Sequence, residues 1–368
     1  MNVIASMATA VPENKHRQAD LAAFMCELYQ YADPQKKKLK LLYARSAIET
    51  RHSVIPDYSS TMEERAFFPK TRNLLPFPNL EYRMQYFNKT ALHLAVKAIE
   101  DCVEGKIKYS QIIHLITVSC TGLSAPGLDV DLVQHLHLNE NIHRSSINFM
   151  GCYAAIHALK QADYICKSDP DSRVLIVCVE LCTLHFQKAD DQDNIMANLL
   201  FADGAAAALI VPEGFAQTNQ LHGFGLKNFH AQLSLNGKNE MAWQLSSTGF
   251  LMTLSSYIPE LIERGIKNLF EKAAQHLQIK KQEIKHWAIH PGGRKVLEVI
   301  QKELELDDEA LASSYKVLKD YGNMSSPTIL FVLKHLWEEK VIREEKEITF
   351  AVAFGPGLTM ESIMLENV

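Results

Sequence analysis

The run Ser146-Ile147-Asn148-Phe149-Met150-Gly151-Cys152-Tyr153-Ala154-Ala155-Ile156 carries a thiol at a junction. A β-branched and aromatic stretch stops at Gly151, and a helix-patterned segment begins at Cys152. A cysteine in that place sits over the first helical turn. Unpaired backbone N–H groups and the helix dipole there favour a thiolate, which is the nucleophilic form. Without that chemistry, Cys152 is a small buried core residue, the usual state of a free cysteine. Two later segments offer partners. In His286-Trp287-Ala288-Ile289-His290-Pro291-Gly292-Gly293 an apolar strand ends in a histidine and a turn follows. A histidine at a strand end serves as base or hydrogen-bond donor, or simply as a satisfied core residue. In Asp320-Tyr321-Gly322-Asn323-Met324-Ser325-Ser326-Pro327 a turn precedes a helix. Asn323 there either caps that helix or presents its amide to a cleft.

The elements that hold these residues alternate between α and β. Helical periodicity covers 17–30, 90–104 and 152–168. Residues 112–118, 173–179 and 205–211 read as buried strands. The second half has the same style, with helices at 257–276, 292–304 and 326–339 and strands at 286–290, 347–354 and 358–366. Continuous apolar strands between helices predict a sheet covered on both faces. No repeat is visible at the level of residues. Pro212, Gly214 and Asn219 make 212–220 a natural junction.

A chain of 368 residues is long enough for one large or two medium domains. Apolar content of 47% and charged content of 22% are those of a globular enzyme. A net charge of −5 argues against general nucleic-acid binding. No stretch approaches the ~20 apolar residues of a membrane span, and the N-terminus lacks the basic region of a secretory signal. The seven cysteines form no Cys-x-x-Cys pair, which predicts reduced thiols in a cytoplasmic protein.

Gly151-Cys152, His290-Pro291-Gly292-Gly293 and Tyr321-Gly322-Asn323-Met324-Ser325-Ser326 together resemble the chalcone synthase-like type III polyketide synthases. Phe201-Ala202-Asp203-Gly204-Ala205-Ala206-Ala207 and Phe354-Gly355-Pro356-Gly357 agree with that family. The five segments occur in the family's order, and the likeness runs from about residue 38 to residue 360. The resemblance implies a thiolase fold, that is, an α/β protein of two similar halves in αβαβα layers. The N-terminal half, 1–220, would carry the nucleophilic cysteine. The C-terminal half, 221–368, would carry the histidine and asparagine. Cys152 would take an acyl group from a thioester, with His290 as its base or cation partner. His290 and Asn323 would stabilise the enolate left when malonyl-CoA loses carbon dioxide. The substrates implied are acyl-CoA and malonyl-CoA thioesters, with no tightly bound cofactor and a homodimeric enzyme.

The resemblance also carries binding residues. Lys36, Lys37, Lys38, Lys40, Arg45 and Arg51 form a basic cluster where family members bind coenzyme A phosphates. Lys38 and Arg45 fall on basic family positions, whereas Leu41 replaces an arginine of the plant enzymes. Charge runs are otherwise solvated faces. Phe201 matches one of two phenylalanines between the CoA tunnel and the cavity. The second position falls at Met252, with Phe250 as the competing residue. Cys120 and Ala125 replace threonine and methionine of the plant enzymes, and Cys182 and His185 replace threonines. Small residues at Cys120 and Ala125 are similar to those of family members that accept long acyl chains. This implies a fatty acyl starter giving an alkylpyrone or alkylresorcinol. The loop around Ala125 is where a partner subunit is expected.

Other patterns carry less. His135, His137 and His143 read as a helix end and loop rather than a metal site. Asp203 reads as a turn-bonding aspartate, and Glu63-Glu64 as exposed charge. Rival readings are a ketoacyl-ACP synthase III-like enzyme, disfavoured by Pro-Gly-Gly after His290, and a hydroxymethylglutaryl-CoA synthase-like enzyme, disfavoured by Asn323. A non-catalytic acyl-binding homologue predicts loss of a catalytic residue, and a papain-like hydrolase does not suit buried strands around the cysteine.

Overall fold

The computed structural model of the chain describes all residues except 256, 278 and 339–345. Nine strands are joined in the order Ile284–Ile289, Ile348–Gly355, Thr359–Asn367, Phe224–Leu233, Val3–Ala10, Asp203–Val211, Val174–Leu181, His114–Ser119, His143–Asn148. The strands Val3–Ala10 and Phe224–Leu233 meet at only two pairs, Val3 with Gly225 and Ile4 with Phe224. This short seam divides the strands into two sheets of matching topology. From the seam outward, each runs antiparallel, antiparallel, then parallel. The residue sequence hid this repeat because it lies in pairing order, not in side chains.

Two helices fill the space between the sheets. Ala154–Ser168 packs on Val174–Leu181 and Asp203–Val211 and also reaches Thr359–Asn367. Thr328–Leu336 packs on Ile284–Ile289 and on Val3–Ala10. Each therefore touches strands of both sheets. Its position explains why residues 328–333 are buried on every side, as a central-layer helix must be. Each fully buried Ile, Leu or Val there stabilises the fold by about 1.5–3 kcal/mol. Leu80–Val103 covers the first sheet from outside and Ile258–Leu277 the second. The result is the αβαβα layering of a thiolase fold.

Most elements fall where the sequence places them, with shifts at their ends. The helix expected at 90–104 starts ten residues earlier, at Leu80, because the Asn79 side chain accepts the Tyr82 N–H and caps it. The helix expected over 326–339 spans Thr328–Leu336, and residue 339 lies outside the described residues. The basic segment is a helix, Asp33–Ala44. A hairpin of Met241–Ser246 and Gly249–Leu254 was not anticipated. Leu128–His135 ends in a turn with His137 at φ 50°, so the histidines of this segment are spread over helix, turn and strand. Among the described residues no three or more His, Cys, Asp or Glu stand where they could hold a metal. Nor is any helix long and apolar enough to cross a membrane. All seven cysteines are buried and unpaired.

Candidate active site

Cys152 lies in a single 3-10 turn, Gly151–Tyr153, between the strand His143–Asn148 and the helix Ala154–Ser168. The chain reverses there through Phe149 at φ 59° and Gly151 at φ 76°. Gly151 is required twice over. Its φ is left-handed, and a Cβ would stand 2.2 Å from Pro356 Cδ. Gly355 makes the reciprocal approach, since its Cβ would meet the Tyr153 ring at 2.6 Å. The Phe354-Gly355-Pro356-Gly357 run therefore braces the Cys152 turn from the other half of the chain.

His290 follows the strand Ile284–Ile289 and is fixed by its N–H, which donates to Val352 O at 2.9 Å. The residue is 1% exposed, and neither Nδ1 nor Nε2 has a hydrogen-bond partner among the described residues. Asn323 follows Gly322 at the end of the helix Ala312–Tyr321. Its backbone pairs with the segment around Phe201: Asn323 N donates to Leu200 O at 2.9 Å, and Ala202 N donates to Asn323 O at 2.8 Å. Its Oδ1 accepts the Ser325 N–H at 2.8 Å and lies 3.9 Å from Cys152 Sγ. With the oxygen committed, the Nδ2 hydrogens are left for a ligand.

Burial sets the electrostatics. Loss of solvation pushes the Cys152 thiol up to about 12, against hydrogen bonds from Ser325 and Asn323 that favour the thiolate. It pushes the His290 imidazole down to about 3. Burial therefore opposes the thiolate that the helix N-terminus favours. Either charge alone is costly here.

These three side chains line one cavity of about 580 Å³. Phe201, Met252, Cys120, Cys182, His185 and Arg45 line it too, so the sequence brought most of its candidates to one place. Two do not line it. Ala125 is exposed on the loop that leaves the strand His114–Ser119, because Thr121 turns back to Glu180 and carries the following residues outward. Lys38 is exposed on the outer face of the helix Asp33–Ala44, two turns from Arg45. Phe250 and Met252 both line the cavity. The hairpin pairs Phe250 with Leu245, Met252 with Trp243, and Leu254 with Met241. That register puts Phe250, Met252, Leu254, Trp243 and Met241 on one apolar wall.

His185 is part of that wall. Its ring stacks on Phe250 at 4.1 Å, its Nε2 bonds Thr121 O at 2.7 Å, and its Nδ1 accepts the Phe250 N–H at 3.1 Å. Since Nδ1 accepts, Nε2 carries the proton and donates to the carbonyl. Burial lowers its pKa to about 3, which keeps the ring neutral. Trp243 Nε1 donates to Cys120 O at 2.6 Å and ties the hairpin to the core.

Two residues, Glu180 and Arg51, have roles that the sequence had not assigned. Glu180 is fully buried; Oε2 accepts from Cys120 N and Thr121 Oγ1 at 2.8 and 2.9 Å, and Oε1 from Ser326 Oγ at 2.6 Å. It links the Cys120 loop to the start of the central helix Thr328–Leu336. A lone carboxylate in the apolar run Val174–Leu181 was the signal for it. Arg51, counted in the basic cluster, is buried instead; Nε donates to Gln18 Oε1 at 3.0 Å and Nη1 to Phe201 O. Asp203 accepts from Val54 N and Thr183 N, both at 2.8 Å, in the turn-bonding role expected of it. At the cavity mouth, Arg294 and Lys295 stand with Arg45.

The comparisons with known proteins follow the same lines. The families described as chalcone and stilbene synthases, N-terminal domain and C-terminal domain, match residues 1–213 and 226–368. The chain belongs to the chalcone and stilbene synthase family, the type III polyketide synthases. It is 30% identical to "Alpha-pyrone synthesis polyketide synthase-like Pks18" of Mycobacterium tuberculosis over 99% of this chain and 91% of that protein. It is 31% identical to "Type III polyketide synthase A" of Arabidopsis thaliana over 90% of this chain and 84% of that protein. Among solved structures, PKS-I from the brown alga Ectocarpus siliculosus superposes with a TM-score of 0.89 at 27% identity, covering 100% and 98% of the two chains. The type III polyketide synthase is an acyltransferase of the condensing type, and it needs no tightly bound cofactor as a class.

Proposed function

We propose that this type III polyketide synthase loads an acyl-CoA starter on Cys152 and extends it with malonyl-CoA by decarboxylative Claisen condensation. The observation that carries this is the pair of partnerless ring nitrogens on His290. A buried unsatisfied polar atom costs about 1–3 kcal/mol, and here two occur on one ring that lines the same cavity as the Cys152 thiol and the Asn323 amide. A substrate oxygen relieves that cost. In loading, His290 takes the Cys152 proton as sulfur attacks the thioester carbonyl, and the proton passes to the leaving CoA thiol. In extension, malonyl-CoA loses carbon dioxide, and its enolate oxygen accepts hydrogen bonds from His290 and Asn323 Nδ2. The enolate carbon then attacks the Cys152 thioester and releases the thiolate. Lys38 and Arg45 hold the carrier phosphates, with Arg45 at the mouth itself.

The finer reading is a long fatty acyl starter closed to a pyrone or resorcinol. The apolar wall of the hairpin, the thiols of Cys120 and Cys182, and the likeness to a protein named for α-pyrone synthesis support it. Residues 1–220 and 221–368 form the two halves. The enzyme is a cytoplasmic homodimer: the strand His143–Asn148 is an uncovered sheet edge, and the exposed Ala125 loop lies near it in the chain.

The test is a product assay with malonyl-CoA and starters from acetyl- to stearoyl-CoA plus p-coumaroyl-CoA, with Cys152→Ala as control. Each buried methylene contributes about 0.8 kcal/mol, so kcat/KM rises about fourfold per carbon until the cavity is filled. Products from short or aromatic starters alone would keep the condensation and remove the long-chain reading. No malonyl-dependent product from any starter would move the assignment to a carrier-protein condensing enzyme or a non-catalytic homologue.

A further inference from the structure

The helix Asp33–Ala44 buries Leu39 and Tyr43 and turns its opposite side outward. On that side Lys38, Leu41, Leu42 and Arg45 follow at i, i+3, i+4 and i+7, which makes one continuous stripe. Leu41 is 51% and Leu42 37% exposed, two adjacent leucines framed by cations. Lys37 flanks them. Lys36 is near Asp33 at 3.9 Å, whereas no carboxylate among the described residues pairs with Lys37, Lys38 or Arg45. The stripe runs directly into the catalytic entrance: Leu42 and Arg45 line the cavity mouth, and Arg294 and Lys295 face them from the other half of the chain. All of this positive charge sits on a chain of net charge −5.

Phosphates of a free coenzyme would use the cations, and its arm would pass Leu42, but Leu41 would stay in water. A protein surface with acidic side chains around an apolar centre covers both. Because the stripe ends at the mouth of a thioester-processing cavity, that partner must bring its acyl group on a long thiol arm. We propose that the outer face of this helix is the docking surface for an acidic acyl carrier protein. Its phosphopantetheine arm enters past Leu42 and Arg45 and delivers the starter to Cys152. This rests on the condensing-enzyme reading above. In the transfer, a bond forms between Cys152 Sγ and the acyl carbon, and the bond from that carbon to the pantetheine sulfur breaks. The Cys152 proton ends on the released pantetheine thiol, so no oxidant or reductant is needed.

The test uses the full chain and the variant Lys37→Glu/Leu41→Ser, which leaves Lys38, Arg45 and every cavity residue in place. Binding of a fluorescein-labelled holo acyl carrier protein is read by anisotropy at two salt concentrations. Turnover is read with one acyl group presented either on that carrier protein or on CoA. The expected result is carrier binding that weakens with salt. The variant should lose about tenfold in binding and in kcat/KM with the acyl carrier protein, with acyl-CoA turnover within about twofold of wild type. Equal losses with both donors would reassign the stripe to the coenzyme. Absent or unchanged carrier binding would overturn the proposal, as would variant-sensitive binding to anionic lipid vesicles or a variant-sensitive dimer in its place. The condensing-enzyme reading fails separately, by absence of malonyl-dependent product from either donor while anisotropy still reports docking.

Discussion

Replacing Glu180 with glutamine should make the protein more stable at alkaline pH. Burial raises the Glu180 carboxyl from 4.5 to about 7, and its three hydrogen bonds only partly offset that. In the unfolded chain the same group titrates at its ordinary value. Between these two values the unfolded state has released the proton and the folded state has kept it. Stability from this group is therefore fully present at acid pH and falls as pH rises through the window, by about 1.4 kcal/mol per unit. Across the whole window the loss is about 3 kcal/mol. A carboxamide keeps the contacts: its oxygen can accept from Cys120 N and Thr121 Oγ1, and its NH₂ can donate to Ser326 Oγ. It has no proton to lose. The assay is urea unfolding of wild type and Glu180→Gln from pH 5 to 8.5, followed by tryptophan fluorescence. The two should nearly coincide at pH 5, and the variant should gain up to about 3 kcal/mol by pH 8.5. Every other titrating group is common to both proteins, so the difference isolates this one. Parallel curves, or a gap that widens toward acid, would refute the reasoning.

The remaining predictions concern the nucleophile and its supports. His290→Ala removes the only proton acceptor proposed for Cys152, so iodoacetamide labelling of that thiol at pH 7.5 should slow at least about tenfold. Asn323→Ala should lower kcat for malonyl-CoA decarboxylation by about 10²–10³ while Cys152 still accepts an acyl group, seen by mass spectrometry. It should also destabilise the protein by about 1–3 kcal/mol, because the buried Ser325 N–H loses its acceptor. Gly151→Ala should cost about 1–2 kcal/mol for its left-handed φ alone, with further loss against Pro356. Its thermal midpoint should fall by several degrees and single-turnover acyl loading should slow, because the Cys152 turn must shift. An unchanged midpoint would mean that the turn relaxes freely.

How far the sequence could be read depends on what each residue marks. Cys152, His290 and Asn323 each stand at the end of an element, beside glycine or proline turn chemistry, and such ends are visible in one dimension. What they face is not visible. The partnerless state of His290 depends on what the other half of the chain brings to its ring, and no spacing within 286–293 encodes that. Arg51 makes the same point in reverse. In sequence it closes a run of surface lysines; in the fold it is buried against Gln18 and the Phe201 carbonyl, while Lys38 stays in water. Charge type was legible, but the side of the wall on which each charge falls was set by tertiary packing. The hairpin is a different case. Met241, Trp243 and Leu245 alternate with Ala242, Gln244 and Ser246, and Gly249 follows the turn, so its period of two was present and went unread. That alternation fixes which side chains meet a substrate. A one-residue slip of the second strand in this register would turn Phe250 and Met252 out of the cavity together and leave Trp243 facing in. The apolar wall of the cavity therefore rests on strand register as much as on the identity of any single residue.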